Sequence, residues 1–120
     1  TGTGIMRSRP EVKLHQTAES AVTLASTQDA MLSALWPLLE PGGALHYVTC
    51  SILDVENGRV VKDFAARTAD AELVAPDMPM AAQQSPPAIQ PTAIKGRAGV
   101  TFLPQEAHAG GFSAILRKKL

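Results

Sequence analysis

Patterning along the 120 residues of this chain predicts an α/β fold, and three observations carry the prediction. Between about Thr17 and Leu39, apolar residues recur at spacings of three and four. After Pro41-Gly42-Gly43 comes a short apolar run, Ala44-Leu45-His46-Tyr47-Val48-Thr49, and a second amphipathic segment extends from Asp54 to about Arg67. Helix, strand and helix in this order make an α/β unit. A chain of this length builds one core, so residues 1–120 are read as one small domain.

Thr1 to Pro10 contains Gly2, Gly4 and Pro10 and reads as loop, and Glu11 to Gln16 has no clear period. In the first helix, Ala21, Leu24, Gln28, Met31, Leu32, Leu35, Leu38 and Leu39 share one face, as expected for packing on a sheet. Pro37 is expected to kink or end it, because proline has no amide donor and crowds the preceding turn. Pro41-Gly42-Gly43 then turns the chain, since glycine accepts positive φ. The apolar run that follows reads as a parallel strand covered on both faces. Asp54 is placed as the N-cap of the next helix and Glu56 in its first turn, where a carboxylate complements the helix dipole. Val60, Val61 and Phe64 supply its apolar face.

Ala71 to Ala75 is a candidate short strand. From about 76 to 99, Pro76, Pro79, Pro86, Pro87 and Pro91 among glutamine, alanine and glycine predict a loop or disordered insert. Val100 to Leu103 and Phe112 to Leu116 read as an edge strand and its antiparallel neighbour, with Gly110-Gly111 as a turn. Trp36, Tyr47, Phe64 and Phe112 are assigned to the core.

Eleven basic residues balance eleven acidic ones, so no net field draws the chain to nucleic acid or an anionic membrane. Arg7, Arg9 and Lys13, and Arg117, Lys118 and Lys119, read as solvated charges. A single cysteine makes no internal disulfide, and the first residues are not a charged-then-apolar leader, so a cytoplasmic location is expected. Pro37, Glu40 and Pro41 interrupt the most apolar stretch, which argues against a membrane span. His15, His46 and His108 have no metal-site spacing, and no metal is expected.

That cysteine, Cys50, stands in Thr49-Cys50-Ser51 at the end of the apolar strand. Open α/β sheets bind ligands beyond the carboxyl ends of their strands, so Cys50 marks the candidate catalytic site. The competing reading is packing, because cysteine is among the most buried residue types. His46 reads as a strand position and not as a general base.

Three stretches in fixed order carry a resemblance. They are Thr1-Gly2-Thr3-Gly4 with Arg9-Pro10-Glu11, then Leu39 to Ile52 with Glu56-Asn57, then Leu103-Pro104 with Gly111-Phe112. Together they resemble RNA (cytosine-5) methyltransferases of the Sun family, whose bacterial members modify 16S ribosomal RNA. Thr-Cys-Ser followed by Glu-Asn is the specific part; the Pro-Gly-Gly turn is shared by many methyltransferases that use S-adenosylmethionine. The resemblance implies the C-terminal half of a Rossmann-like S-adenosylmethionine-dependent methyltransferase fold with an incomplete sheet. Residues 1–120 would then be a partial catalytic domain acting on ribosomal RNA.

By the same resemblance Cys50 is the nucleophile that adds to carbon 6 of cytosine. Thr49 and Ser51 are expected to shape the turn around the thiol, and Glu56 and Asn57 to brace the following helix. A free thiol ionises near pH 8.5, so a positive or hydrogen-bonding neighbourhood is expected, in part from the helix near Asp54. The S-adenosylmethionine-binding residues lie upstream of the matching segment in this family, so none is assigned here. A second, product-releasing cysteine, in an Asp-Ala-Pro-Cys segment before the stretch that Thr1-Gly2-Thr3-Gly4 matches, and a base-holding acidic residue also fall upstream of Thr1. Gly110-Gly111-Phe112 departs from the usual Asp-Gly-Phe.

On this reading the chain alone is inactive, and the strand ending at Cys50 is a central strand deprived of a neighbour. An exposed edge of that kind predicts marginal stability and self-association. The alternative from another class is a non-catalytic α/β interaction module with a buried, inert Cys50. A redox-sensor role lacks a resolving cysteine.

Overall fold

The computed structural model describes residues 1–74, 93–96, 98–105 and 109–120. After a 3-10 turn at Thr3–Ile5, the helices are Val12–His15 (α1), Ala18–Leu35 (α2) and Gly58–Arg67 (α3). The strands are Ala44–Thr49 (β1), Ala71–Leu73 (β2), Ala93–Lys95 (β3), Val100–Phe102 (β4) and Gly111–Lys118 (β5). A reciprocal capping box starts α2: the Thr17 hydroxyl accepts from the Ser20 amide while the Ser20 hydroxyl accepts from the Thr17 amide. Pro37 sits in a 3-10 turn, Trp36–Leu38, into which α2 tightens before the chain extends at Leu39. Gly42 adopts φ 82°, which suits glycine, and its amide donates to the Lys118 carbonyl at 2.8 Å.

β5 is the centre of the sheet. It pairs along one side with β1 and along the other with β4 and β2, and β3 continues beyond β4. Every ladder is antiparallel, so the expectation of a parallel strand before Cys50 is corrected within the described sheet. The reason is that β1 takes its partner from the far end of the sequence, where the chain returns through β4 and β5. β1 is also not covered on both faces. Tyr47 is buried, whereas Ala44, His46 and Val48 on the opposite face are exposed. The register sets Leu45 opposite Leu116, Tyr47 opposite Ala114 and Thr49 opposite Phe112, which places one apolar face under the helices.

On that face Leu32 and Trp36 meet Val60, Val61 and Phe64 of α3 and Tyr47, Phe112, Ala114 and Leu116 of the sheet. Trp36 stands edge-on to Phe64 at 5.3 Å between centroids, and Tyr47 edge-on to Phe112 at 6.2 Å, a favoured geometry for aromatic pairs. The four predicted core aromatics are therefore in the core. Lys118 is not a solvated charge. Its ammonium donates to the carbonyls of Trp36 at 3.3 Å and Leu39 at 3.0 Å, tying the end of β5 to the turn that follows α2. Lys119 similarly reaches the Ala69 carbonyl at 3.0 Å.

Two boundaries differ from expectation. Asp54 does not cap a helix directly: Asp54–Glu56 forms a 3-10 turn, and α3 opens at Gly58. A Cβ at Gly58 would lie 2.5 Å from the Asp54 carboxylate oxygen, so glycine fits where this turn folds against the helix start. Within the stretch read as a Pro-rich insert, β3 pairs with β4, and Ala98 is buried. Proline density hid that hairpin, whose own residues, Ala93 to Lys95, are free of proline. Residues 75–92 and 97 of the same stretch lie outside the described residues, as does His108.

Candidate active site

Cys50 follows the last residue of β1 and is exposed. The packing reading of this cysteine, and with it the buried thiol that distinguished the interaction-module alternative, is corrected by that exposure. Its backbone is fixed nonetheless. The Cys50 carbonyl accepts from the Gly4 amide at 2.8 Å, and the Gly4 carbonyl accepts from Gly110 at 2.7 Å, so the N-terminal segment and the β4–β5 connection clasp the strand end.

Both neighbours of Cys50 are held by side chains from the following turn. Thr49 Oγ1 donates to Asn57 Oδ1 at 2.6 Å and accepts from the Ser51 amide at 3.2 Å. Asn57 Nδ2 closes the loop by donating to the Ser51 carbonyl at 2.8 Å. Ser51 Oγ donates to Glu56 Oε2 at 2.7 Å and accepts from the Leu53 amide at 3.1 Å. Thr3 Oγ1, 3.1 Å from Ser51 Oγ, accepts from the Ile52 amide at 3.0 Å. Ser51, Glu56 and Asn57 are all 1% exposed or less, so these are interior bonds and costly to break.

Glu56 is the hub, and its placement was not foreseen. Instead of lying in the first turn of a helix, Glu56 ends a 3-10 turn, and its carboxylate points inward and accepts from the Thr1 nitrogen and Thr1 Oγ1, each at 2.5 Å, from Ser51 and from Gln28 Nε2 at 3.3 Å. Four donors match the acceptor capacity of one ionised carboxylate. In this 120-residue chain burial pushes its pKa up, but the bonds from the terminal ammonium, the Thr1 hydroxyl and Ser51 outweigh that and hold it below the usual carboxylate value. The Tyr47 hydroxyl donates to the Glu56 carbonyl. Burial, then the charges of Glu56 and Asp29, push the Tyr47 phenol far up, so it stays a neutral donor.

In front of this clamp is a cavity of about 390 Å³ bounded by Thr1, Gln28, Met31, Val48, Cys50 and Glu56 among others. It lies between α2 and the side of β1 that no described strand covers. Gln28 Oε1, on its wall, is buried without a partner among the described residues. His46 also lines the cavity, while the expected helix dipole is displaced, since α3 begins eight positions after Cys50.

The Thr1 to Gly4 segment does not fit S-adenosylmethionine. Thr1 to Gly4, the glycine-containing segment, is bonded to Glu56, Cys50 and Gly110 and offers no open cradle for a nucleoside. Among the described residues no group of three or more His, Cys, Asp or Glu side chains is placed to hold a metal ion. No described helix is long and apolar enough to cross a membrane.

Comparison with known proteins identifies the frame around this clamp. Ribosomal RNA small subunit methyltransferase B of Pseudomonas syringae pv. tomato is 38% identical over 112 residues, covering 93% of this chain and 23% of that protein. The same-named protein of Pasteurella multocida is 35% identical over 119 residues, covering 98% of this chain and 24% of its own length. That of Xylella fastidiosa reaches 48% over 71 residues, 59% of this chain and 16% of that protein. The chain thus spans about a quarter or less of the length of these curated relatives. The crystal structure of PH0851 superposes with a TM-score of 0.75 at 24% identity, over 98% of this chain and 24% of that one, which shows the shared fold. Residues 1–117 match the family model described as 16S rRNA methyltransferase RsmB/F, and the chain, a partial methyltransferase fold, belongs to that family.

Proposed function

We propose that this chain is the C-terminal part of the catalytic domain of an S-adenosylmethionine-dependent RNA (cytosine-5) methyltransferase acting on ribosomal RNA in the cytoplasm, with Cys50 as its covalent nucleophile. One observation carries the reading: Cys50 is exposed at a strand end beside a cavity, while its neighbours Thr49 and Ser51 are held by hydrogen bonds to the buried side chains of Asn57 and Glu56. A nucleophile needs that combination of access and fixed position.

Carbon 5 of cytosine is too electron-poor to accept a methyl group unaided. In the step assigned to Cys50, its thiolate forms a bond to carbon 6, and the electron pair of the 5,6 double bond moves onto carbon 5. Carbon 5 thereby becomes nucleophilic. Later loss of the carbon 5 proton to a base re-forms the double bond and expels the thiolate. S-adenosylmethionine, when bound, supplies an electrophilic methyl carbon, and its binding residues are not among those of this chain. The chain alone is therefore inactive.

The test uses the full-length protein. Cys50→Ser is expected to reduce methyl transfer to ribosomal RNA to background, and unaltered protein is expected to give a denaturant-stable adduct with RNA containing 5-fluorocytosine, which has no carbon 5 proton to lose. Near-normal turnover by the serine variant would falsify the assignment.

A further inference from the structure

Glu56 and Asn57 do more than brace a helix, and what they touch defines a role. Asn57 bonds to the Thr49 hydroxyl with its oxygen and to the Ser51 carbonyl with its nitrogen, so one side chain spans the residues before and after Cys50. Glu56 fixes the hydroxyl of the same Ser51 and ties it to Thr1. The hydrogen bonds of both side chains go to other groups than the Cys50 thiol, and both are at most 1% exposed. Their bonds converge on the backbone that carries the thiol.

We propose that Glu56 and Asn57 are positioning residues which, through Thr49 and Ser51, set the direction in which the Cys50 thiol enters the cavity. This rests on the nucleophile reading above. The proton inventory supports it, because each hydroxyl has one hydrogen and each is already directed. Thr49 gives its hydrogen to Asn57 and Ser51 gives its hydrogen to Glu56, which leaves their lone pairs to accept the Ser51 and Leu53 amides. The Ser51 carbonyl is a second acceptor for the Thr49 hydroxyl at 3.4 Å, but the 2.6 Å bond to Asn57 is much the shorter and directs that hydrogen. Gln28 extends the clamp to α2, the opposite wall of the cavity, so the thiol and that wall share a reference point.

The decisive variants are Thr49→Val and Thr49→Ser in the full-length protein. Valine keeps the shape and strand preference of threonine and removes the hydroxyl, whereas serine restores it. With ribosomal RNA as substrate, Thr49→Val is expected to lower kcat about 10- to 100-fold with KM little changed, as for a misplaced reacting group. Thr49→Ser is expected to recover most of that loss. The rate of Cys50 alkylation by iodoacetamide on folded protein should change in Thr49→Val and return toward the original in Thr49→Ser. Glu56→Gln, where it folds, is expected to follow Thr49→Val. Unchanged kcat and alkylation in Thr49→Val, or a serine variant as impaired as the valine one, overturns the clamp. Turnover by Cys50→Ser overturns the nucleophile reading instead, so the two failures are told apart.

Discussion

The two sides of Cys50 are built on opposite principles. Behind it, Ser51, Glu56 and Asn57 form a polar interior in which each side chain has its partners and almost no exposure. In front, Met31 is 59% exposed, Leu35 45% and Val48 70%, an apolar rim along α2 and the uncovered side of β1. A buried polar network has one good arrangement, because each lost bond leaves a desolvated group behind. An apolar rim has no such directionality and tolerates many neighbours. The contrast separates what holds the thiol from what faces it, and it is open to attack from either side.

The strongest way to break the closed side is Gly4→Ala. A Cβ there would lie 2.1 Å from the Gly110 carbonyl oxygen and 2.7 Å from that of Cys50, and both obstacles are backbone. Relief requires giving up bonds at Gly4, so a loss of about 3 kcal/mol in urea unfolding is expected, combining overpacking with lost hydrogen bonds. A loss below about 1 kcal/mol would mean that the clasp at Cys50 yields easily and the contrast is overstated.

Glu56→Gln is expected to act less strongly and to carry a pH signature. The substitution keeps the shape but replaces a charge-assisted acceptor by a neutral amide, for a cost of about 2 kcal/mol at pH 7. In the 120-residue chain, where the terminal ammonium bonds to it, the folded carboxyl lies below its ordinary value of 4.5, so its ionised form is the one this chain's fold stabilises. That contribution is complete above the unfolded value and is lost as pH falls through the folded one. The stability gap between the two proteins should therefore be flat from about pH 7 to 5.5 and shrink below about pH 4.5. A gap that widens on acidification would show that the carboxyl is protonated in the fold.

The same contrast explains what could be read from the chain itself. Local signals were legible: the three-four spacing announced α2, Pro37 its end, and the run Ala44 to Thr49 the strand. The exposed thiol at the strand end was legible through its Thr-Cys-Ser context. The clamp was not. Its central bonds span five to eight residues through an irregular turn, which no helix or strand period encodes, and others join Thr1 and Thr3 to residues 48 to 55 positions away. Glu56 in particular carried a good local explanation, a carboxylate near a helix start, that the tertiary structure replaced with a stronger one. The apolar face of α2 was only half legible: Ala21 and Leu32 are buried, yet Leu24, Met31 and Leu35 on the same face look outward. Periodicity identifies a face but does not say how far the sheet extends beneath it.

The open side sharpens into the smallest expected effect on folding. β1 has no described partner on the side away from β5, and Val48, which lines the same cavity as Met31 and Leu35, is exposed on the face away from the helices. Unpaired backbone beside apolar side chains is a template for another chain, and lysine on such an edge opposes it through charge and desolvation. The 120-residue chain is expected to associate with itself at high concentration in sedimentation velocity. Val48→Lys should shift that equilibrium toward monomer while changing unfolding free energy by less than about 0.5 kcal/mol, since the wild-type side chain is mostly in water. A chain that is monomeric at every concentration, or a lysine variant that loses stability as Gly4→Ala does, would show that the rim is closed by the chain's own residues. If the variant behaves as expected, removing apolar surface in front of Cys50 leaves the fold intact, whereas a single methyl group behind it does not.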